Sequence, residues 1–178
     1  GALGSGFPVA FALPGSAVIT ITLAAVAGHF LAGNVDAFFH SGGPSQWLTA
    51  GVTNLRTYKD DAIEVLKLIP DNSIDTIQLF FPDPWHKKRH HKRRLINQRT
   101  LHIFAKILKP SGKLIMTTDV PYLAEWMCSH AIIHPDFTWT AESCQNWEQA
   151  PQNWISTKYE QKGAKGAKKM VYLIFEKT

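Results

Sequence analysis

One acid stands at the head of the densest run of cations in this chain. In LFFPDPWHKKRHHKRR, residues 79–94, Asp83 sits between Pro82 and Pro84. Lys87, Lys88, Arg89, Lys92, Arg93 and Arg94 follow closely, with His86, His90 and His91 among them. The prolines fix φ on both sides of the acid and also restrict Phe81 and Asp83. The carboxylate is therefore presented stiffly, as a preorganised site requires; the plainer alternative is an aspartate capping a rigid turn. Six clustered cations repel one another unless anions neutralise them, so a merely solvated face is the weaker reading and chemistry on a polyanion the stronger. If all six met phosphates, the log–log salt slope of binding would be about −4 to −5. No aromatic follows Trp85 within the run, so the run positions a backbone and reads no sequence. A nuclear-localisation or heparin-type patch is the other use of such runs. Trp85 could stack on a base, but a lone tryptophan is expected in the core.

Two further acids occupy equivalent places. Ile74 to Phe81 reads as a buried strand running into PDPW. Asn97 to Leu108 has Leu101, Phe104, Ala105 and Leu108 on one helical face. KPSG, at 109–112, is expected to end that helix. KLIMTT then leads to Asp119, and Pro121 opens a helix through Tyr122, Leu123, Trp126 and Met127. Upstream, NLRTY at 54–58 is a short strand, followed by Asp60, Asp61 and a helical AIEVLKLI. One of the paired aspartates suits an N-cap; the other faces the cleft. Residues 141–156 read as loop. Thr157–Glu160 and Met170–Phe175 are expected to form an antiparallel pair. This order predicts an α/β domain with a mostly parallel sheet, whose ligands lie beyond the carboxyl ends of the strands. Asp61, Asp83 and Asp119 all fall at such ends.

The 178 residues suit one domain, 1–178, able to bury a core without staples. Net charge is +5 and the pI about 9.3. Cys128 and Cys144 match no metal spacing and are too few for a disulfide scaffold, so a cytoplasmic setting and no metal are expected. The apolar run 17–33 is shorter than the ~20 residues that span a bilayer. Pro14 and Gly15 stop it, His29 interrupts it, and no Lys or Arg precedes it as in a signal peptide. It is expected as a buried strand or helix, with no membrane partner. Gly4 and Gly6 in GALGSGFP could form a nucleotide-binding turn, or GALGSG could be a remnant of cloning.

The motifs quoted above have a family likeness. LFFPDPWHKKRHHKRR, with NLRTYKDDA upstream and TTD and TKYE downstream, resembles the bacterial tRNA (guanine-N7-)-methyltransferases from about Gly51 to the C-terminus. The resemblance implies a Rossmann-like class I methyltransferase fold, S-adenosylmethionine as cofactor, and N7 of a variable-loop guanine in tRNA as the methyl acceptor. It implies that Asp61 contacts the cofactor near its adenine, with Gly4 and Gly6 in the cofactor loop. Asp83 would lie at the transfer site, close to cofactor and guanine. Lys87, Asp119, Thr157, Lys158, Tyr159 and Glu160 would hold the nucleotide. Arg89, His90, His91, Lys92, Arg93 and Arg94 would bind the tRNA backbone. A monomer or homodimer is expected.

Residues 1–50 depart from that pattern and form an atypical cofactor-loop region. The acid expected two positions before the first loop glycine is Ala2, counted back from Gly4. The ribose-binding acid falls on Asn34, with Asp36 nearby, and the Gly4-to-Asn34 spacing is longer than usual. A carboxylate accepts two hydrogen bonds from ribose hydroxyls; Asn34 would make one, more weakly. This region has diverged, or cofactor affinity is lost, or the reading frame is altered here. A non-catalytic tRNA-binding protein on the same fold is thus the alternative function, and a membrane-anchored basic protein a third.

Overall fold

The computed structural model describes residues 8–12, 18–22, 56–58, 62–152, 154, 156, 160–161 and 169–178. Its strands are β1 (Pro8–Ala12), β2 (Val18–Thr22), β3 (Arg56–Tyr58), β4 (Ile74–Phe80), β5 (Leu108–Thr118), β6 (Phe137–Trp139) and β7 (Val171–Lys177). Its helices are α1 (Ala62–Leu66), α2 (Gln98–Ile107), α3 (Pro121–Ile132) and the single turn α4 (Gln145–Glu148), with a 3₁₀ segment at Lys88–Arg93.

β4 forms because a segment rich in β-branched residues buries Ile77 and Leu79 on one face and Ile74 and Phe80 on the other. It lies mid-sheet, in the order β3-β1-β2-β4-β5-β7-β6. β1 runs parallel to β3 and antiparallel to β2; β2 is antiparallel to β4; β4 is parallel to β5; β7 is antiparallel to both β5 and β6. Five of the seven strands share one direction, but the reversed β2 and β7 lie inside the sheet, so four of the six neighbouring pairs are antiparallel and the sheet is mixed rather than mostly parallel. The reversal of β2 follows from its short link to β1: a parallel pair needs a crossover of a dozen or more residues.

α2 supplies such a crossover between β4 and β5. Asn97 starts it, its Oδ1 accepting the Thr100 N–H at 3.1 Å. Leu101, Phe104, Ala105 and Ile107 then join one core with Leu79, Leu114, Met116 and Phe175. Because β4 and β5 run together, with Phe80 opposite Thr117, both end on the same side of the sheet. Pro121 opens α3 just after that edge.

Three expectations are corrected. KPSG is no loop, because β5 begins at Leu108, immediately after α2. A register shift between Ile74 and Thr76 takes up the extra residues, with Ser111 at φ 60°. A Cβ at Gly112 would meet the Lys109 carbonyl at 2.8 Å, so only glycine fits there. The described C-terminal antiparallel partner of β7 is β6, and of the expected strand Thr157–Glu160 only Glu160 is among the described residues. Trp139 stacks on Phe175 at 6.1 Å, and Glu160 is helical. Within 141–156, what read as loop contains the single helical turn α4, and Asn146 Oδ1 accepts the Ser143 N–H just before it at 2.9 Å.

The turn from α3 to β6 contains a buried histidine, His134, 5% exposed, whose Nδ1 accepts the Asp136 N–H at 3.3 Å. Burial lowers its pKa below the ordinary 6.5; Asp136 opposes this and His102 adds to it. Ligand atoms of His102, His134 and Asp136 lie within 4.8 Å of one another, but the turn's own hydrogen bond already engages His134. Below pH 6.5 the unfolded chain takes up a proton that the folded imidazole resists. Stability should fall with pH between 6.5 and the lower folded value. Urea midpoints at about pH 5 and pH 7.5 should show this loss, and His134→Gln should flatten it.

Candidate active site

At the carboxyl edge of β4 the chain makes an unusual corner. Phe81 and Trp85 both have left-handed backbones, φ 47° and 42°, although neither is glycine. Phe81 departs from the extended conformation that Pro82 favours. The Phe81 N–H reaches across to the Thr117 carbonyl at 2.9 Å. The Trp85 N–H donates to Asp83 Oδ1 at 3.2 Å. The acid is half-buried, fixed by its own turn, and one strand away from Asp119, which follows β5 and is also half-buried. Of the three acids expected at strand ends, the structure brings these two to one edge; Asp61 lies outside the described residues.

The basic run forms a 3₁₀ segment, in which side chains three apart align. That period sorts it into rows. His90 and Arg93 face Trp85: the His90 ring is edge-on at 5.7 Å, and the Arg93 guanidinium lies 4.9 Å from the indole centroid. His91 and Arg94 face Trp126 on α3, at 5.4 Å between ring centroids and 4.7 Å from guanidinium to ring. Lys87, Lys88, Arg89, Lys92 and Arg93 are exposed.

Two site expectations change. Trp85 is half-buried, not a core residue, because it forms the platform under Arg93. Arg94 is only 4% exposed, with Nε donating to the Pro84 carbonyl at 2.9 Å, so it is not part of an exposed phosphate handle.

On the other side of the edge, Glu160 is 3% exposed. Its Oε1 accepts from Trp154 Nε1 at 3.0 Å and from the Tyr172 hydroxyl at 3.2 Å. These bonds hold the buried carboxylate to Trp154 and to β7. Trp154 in turn meets Phe80 at 5.5 Å and Tyr172 at 5.2 Å. Thr157, Lys158 and Tyr159, like Gly4, Gly6 and Asn34, lie outside the described residues.

Tyr122 and His86 were not expected in the site. The Tyr122 hydroxyl hydrogen-bonds His86 Nδ1. Burial raises the phenol's pKa; Arg94 opposes this, and Asp83 reinforces it. The available signal was Tyr122's position, three residues past Asp119 in the first turn of a helix.

A family model described as "Putative methyltransferase" matches residues 36–173, most of the chain. The chain belongs to this methyltransferase family. It is 42% identical over 123 residues to a tRNA (guanine-N(7)-)-methyltransferase of Brucella anthropi, covering 69% of the chain and 53% of that protein. The like-named protein of Agrobacterium fabrum is 40% identical over 122 residues (68% and 53%), and that of Rhodospirillum rubrum 37% over 133 (75% and 52%). The chain thus spans about half the length of these relatives.

A methyltransferase needs a methyl donor, and the residues at this edge fit a cationic one. Asp83 and Asp119 place two half-buried carboxylates at neighbouring strand ends. Two residues before Asp119, Thr117 Oγ1 is buried with no hydrogen-bond partner among the described residues. Such an orphan in a folded protein calls for a ligand or water.

The Glu160 cluster gives a direct test. Burial, then Glu160, pushes the Tyr172 phenol up to about 12, so it remains a donor at any working pH. Tyr172→Phe removes a donor to a buried carboxylate and should cost about 1.5–3 kcal/mol in urea unfolding, the range for hydrogen bonds to charged groups.

Proposed function

We propose that this methyltransferase transfers a methyl group from S-adenosylmethionine to N7 of a variable-loop guanine in tRNA. The observation that carries this reading is the pairing of a rigid acidic corner with an exposed basic segment directly beside it, in a chain whose relatives bear that name.

The cofactor, when bound, supplies a methyl group on a sulfonium sulfur. Guanine N7 has a lone pair and no proton, so the chain need not provide a strong base. Asp83 accepts the N1 and amino hydrogens of the guanine and offsets the positive charge growing on the base. Asp119 and Lys87 hold the nucleotide from either side, with Thr157, Lys158 and Tyr159. Asp61, Gly4, Gly6 and Asn34 would hold the cofactor's adenosine. The exposed cations at 87–93 grip the tRNA backbone. Two free thiols, Cys128 and Cys144, suit a cytoplasmic setting. Among the described residues no helix is long and apolar enough to cross a membrane.

Incubation with labelled S-adenosylmethionine and unmodified tRNA, then nuclease digestion, should yield N7-methylguanosine. Asp83→Asn should lower turnover by about 100-fold or more, with tRNA affinity within about twofold. Near-normal turnover in that variant would remove Asp83 from the chemistry. Absence of cofactor binding by calorimetry would favour a tRNA-binding protein without catalysis.

With Arg94 buried, five cations remain exposed at 87–93. The log–log salt slope of tRNA binding should therefore be about −3.5 to −4.5. A slope near zero would exclude a backbone grip by this run.

A further inference from the structure

Arg94 ends the basic run in sequence but not in space. Its guanidinium touches three parts of the site at once. Nε donates to the Pro84 carbonyl at 2.9 Å, one residue past Asp83. Nη2 lies 3.0 Å from His91 Nε2, within the 3₁₀ segment. Its flat face lies 4.7 Å from the Trp126 centroid and 5.4 Å from that of Tyr122, both on α3. Trp126 is fixed in turn, with Nε1 donating to the Ile96 carbonyl at 2.8 Å and its ring stacked on His130 at 4.2 Å. The Arg94 carbonyl also accepts from Asn97 Nδ2 at 3.2 Å, next to the cap of α2.

We infer that Arg94 is a positioning residue that clamps the Pro82–Trp85 corner to α3, and so sets where Asp83 stands relative to the basic handle. The inference rests on the reading of 87–93 as a grip on tRNA and removes Arg94 from that grip. A planar fork that donates at its edge while stacking on two rings is arginine chemistry; a lysine ammonium keeps the charge but reproduces neither contact. Two left-handed residues frame a corner that its own sequence does not favour. The Pro84 carbonyl lies between them and Arg94 holds it from outside.

Two variants separate a clamp from a phosphate contact. A phosphate contact would behave as follows: Arg94→Gln reduces the magnitude of the salt slope of tRNA binding by about one, and Arg94→Lys restores both slope and turnover. A clamp behaves differently. Both variants lose kcat by about 10- to 100-fold, as small misplacements of a reacting group do. In both, the salt slope stays at the wild-type value and KM for tRNA stays within about twofold. Lys92→Ala is the reference for a true phosphate contact, with weaker binding and a slope reduced by about one. Should either arginine variant fail to fold, Trp126→Leu tests the same clamp from the other side, since it removes the ring face and leaves every cation; unchanged kcat there would overturn the inference. If wild-type protein transfers no methyl group, the proposed function fails, and the slopes still decide the matter for Arg94. A slope changed by about one in Arg94→Gln rejects the clamp, and an unchanged slope supports it.

Discussion

A corner built on two prolines and two left-handed residues cannot hold itself. Each non-glycine residue in that region costs about 1–3 kcal/mol, and such strain persists only where the surroundings over-determine the backbone. Here three hydrogen bonds do so. The Phe81 N–H is tied to the neighbouring strand, the Trp85 N–H to Asp83 itself, and the Pro84 carbonyl to Arg94. The placement of the acid, the aromatic platform and the basic segment all depend on that corner keeping its shape.

The rest of the fold works to bring a few groups to one edge. The β4–α2–β5 crossover puts Asp83 and Asp119 on neighbouring strand ends, and the core beneath it is closed by Leu79, Phe104, Met116 and Phe175. Electrostatics is arranged in depth. A guanidinium is buried among rings and carbonyls on one flank. On the other, a carboxylate is buried under two donors. Two half-buried acids and the exposed cations complete the edge. A buried charge is tolerable only with hydrogen bonds around it, and both have them, so each stiffens the edge without itself needing to meet a ligand.

Much of this was legible in the sequence because it obeys local rules. Asn97 before a period-3.6 apolar stripe marks α2, Pro121 marks the first turn of α3, and Ile74–Phe80 reads as a strand. The acids at strand ends follow from the same reading. What could not be read depends on contacts distant in sequence. Arg94 looks like its neighbours in a run of cations; Tyr122 and Trp126, some thirty residues later, help to make it a buried residue. Trp85 looks like a core residue until the 3₁₀ period brings Arg93 over it. Glu160 reads as a strand residue in contact with substrate, yet it is helical and buried against Trp154 and Tyr172. KPSG carries every mark of a loop, but sheet pairing with β4 overrides it.

The three-residue period of the basic segment has a consequence of its own. Its rows are set by phase, one toward Trp85, one toward Trp126 and one toward solvent. A change of charge in the outer row, at Arg89 or Lys92, alters one contact and leaves the others in place. Insertion or deletion of a single residue turns every following side chain by a third of a revolution. It would swing Arg94 away from Pro84 and present a different cation to the indole. This stretch is therefore a ruler as much as a patch. Its length is constrained more tightly than its composition, and drift among related chains should appear there as exchange of residues rather than as gaps.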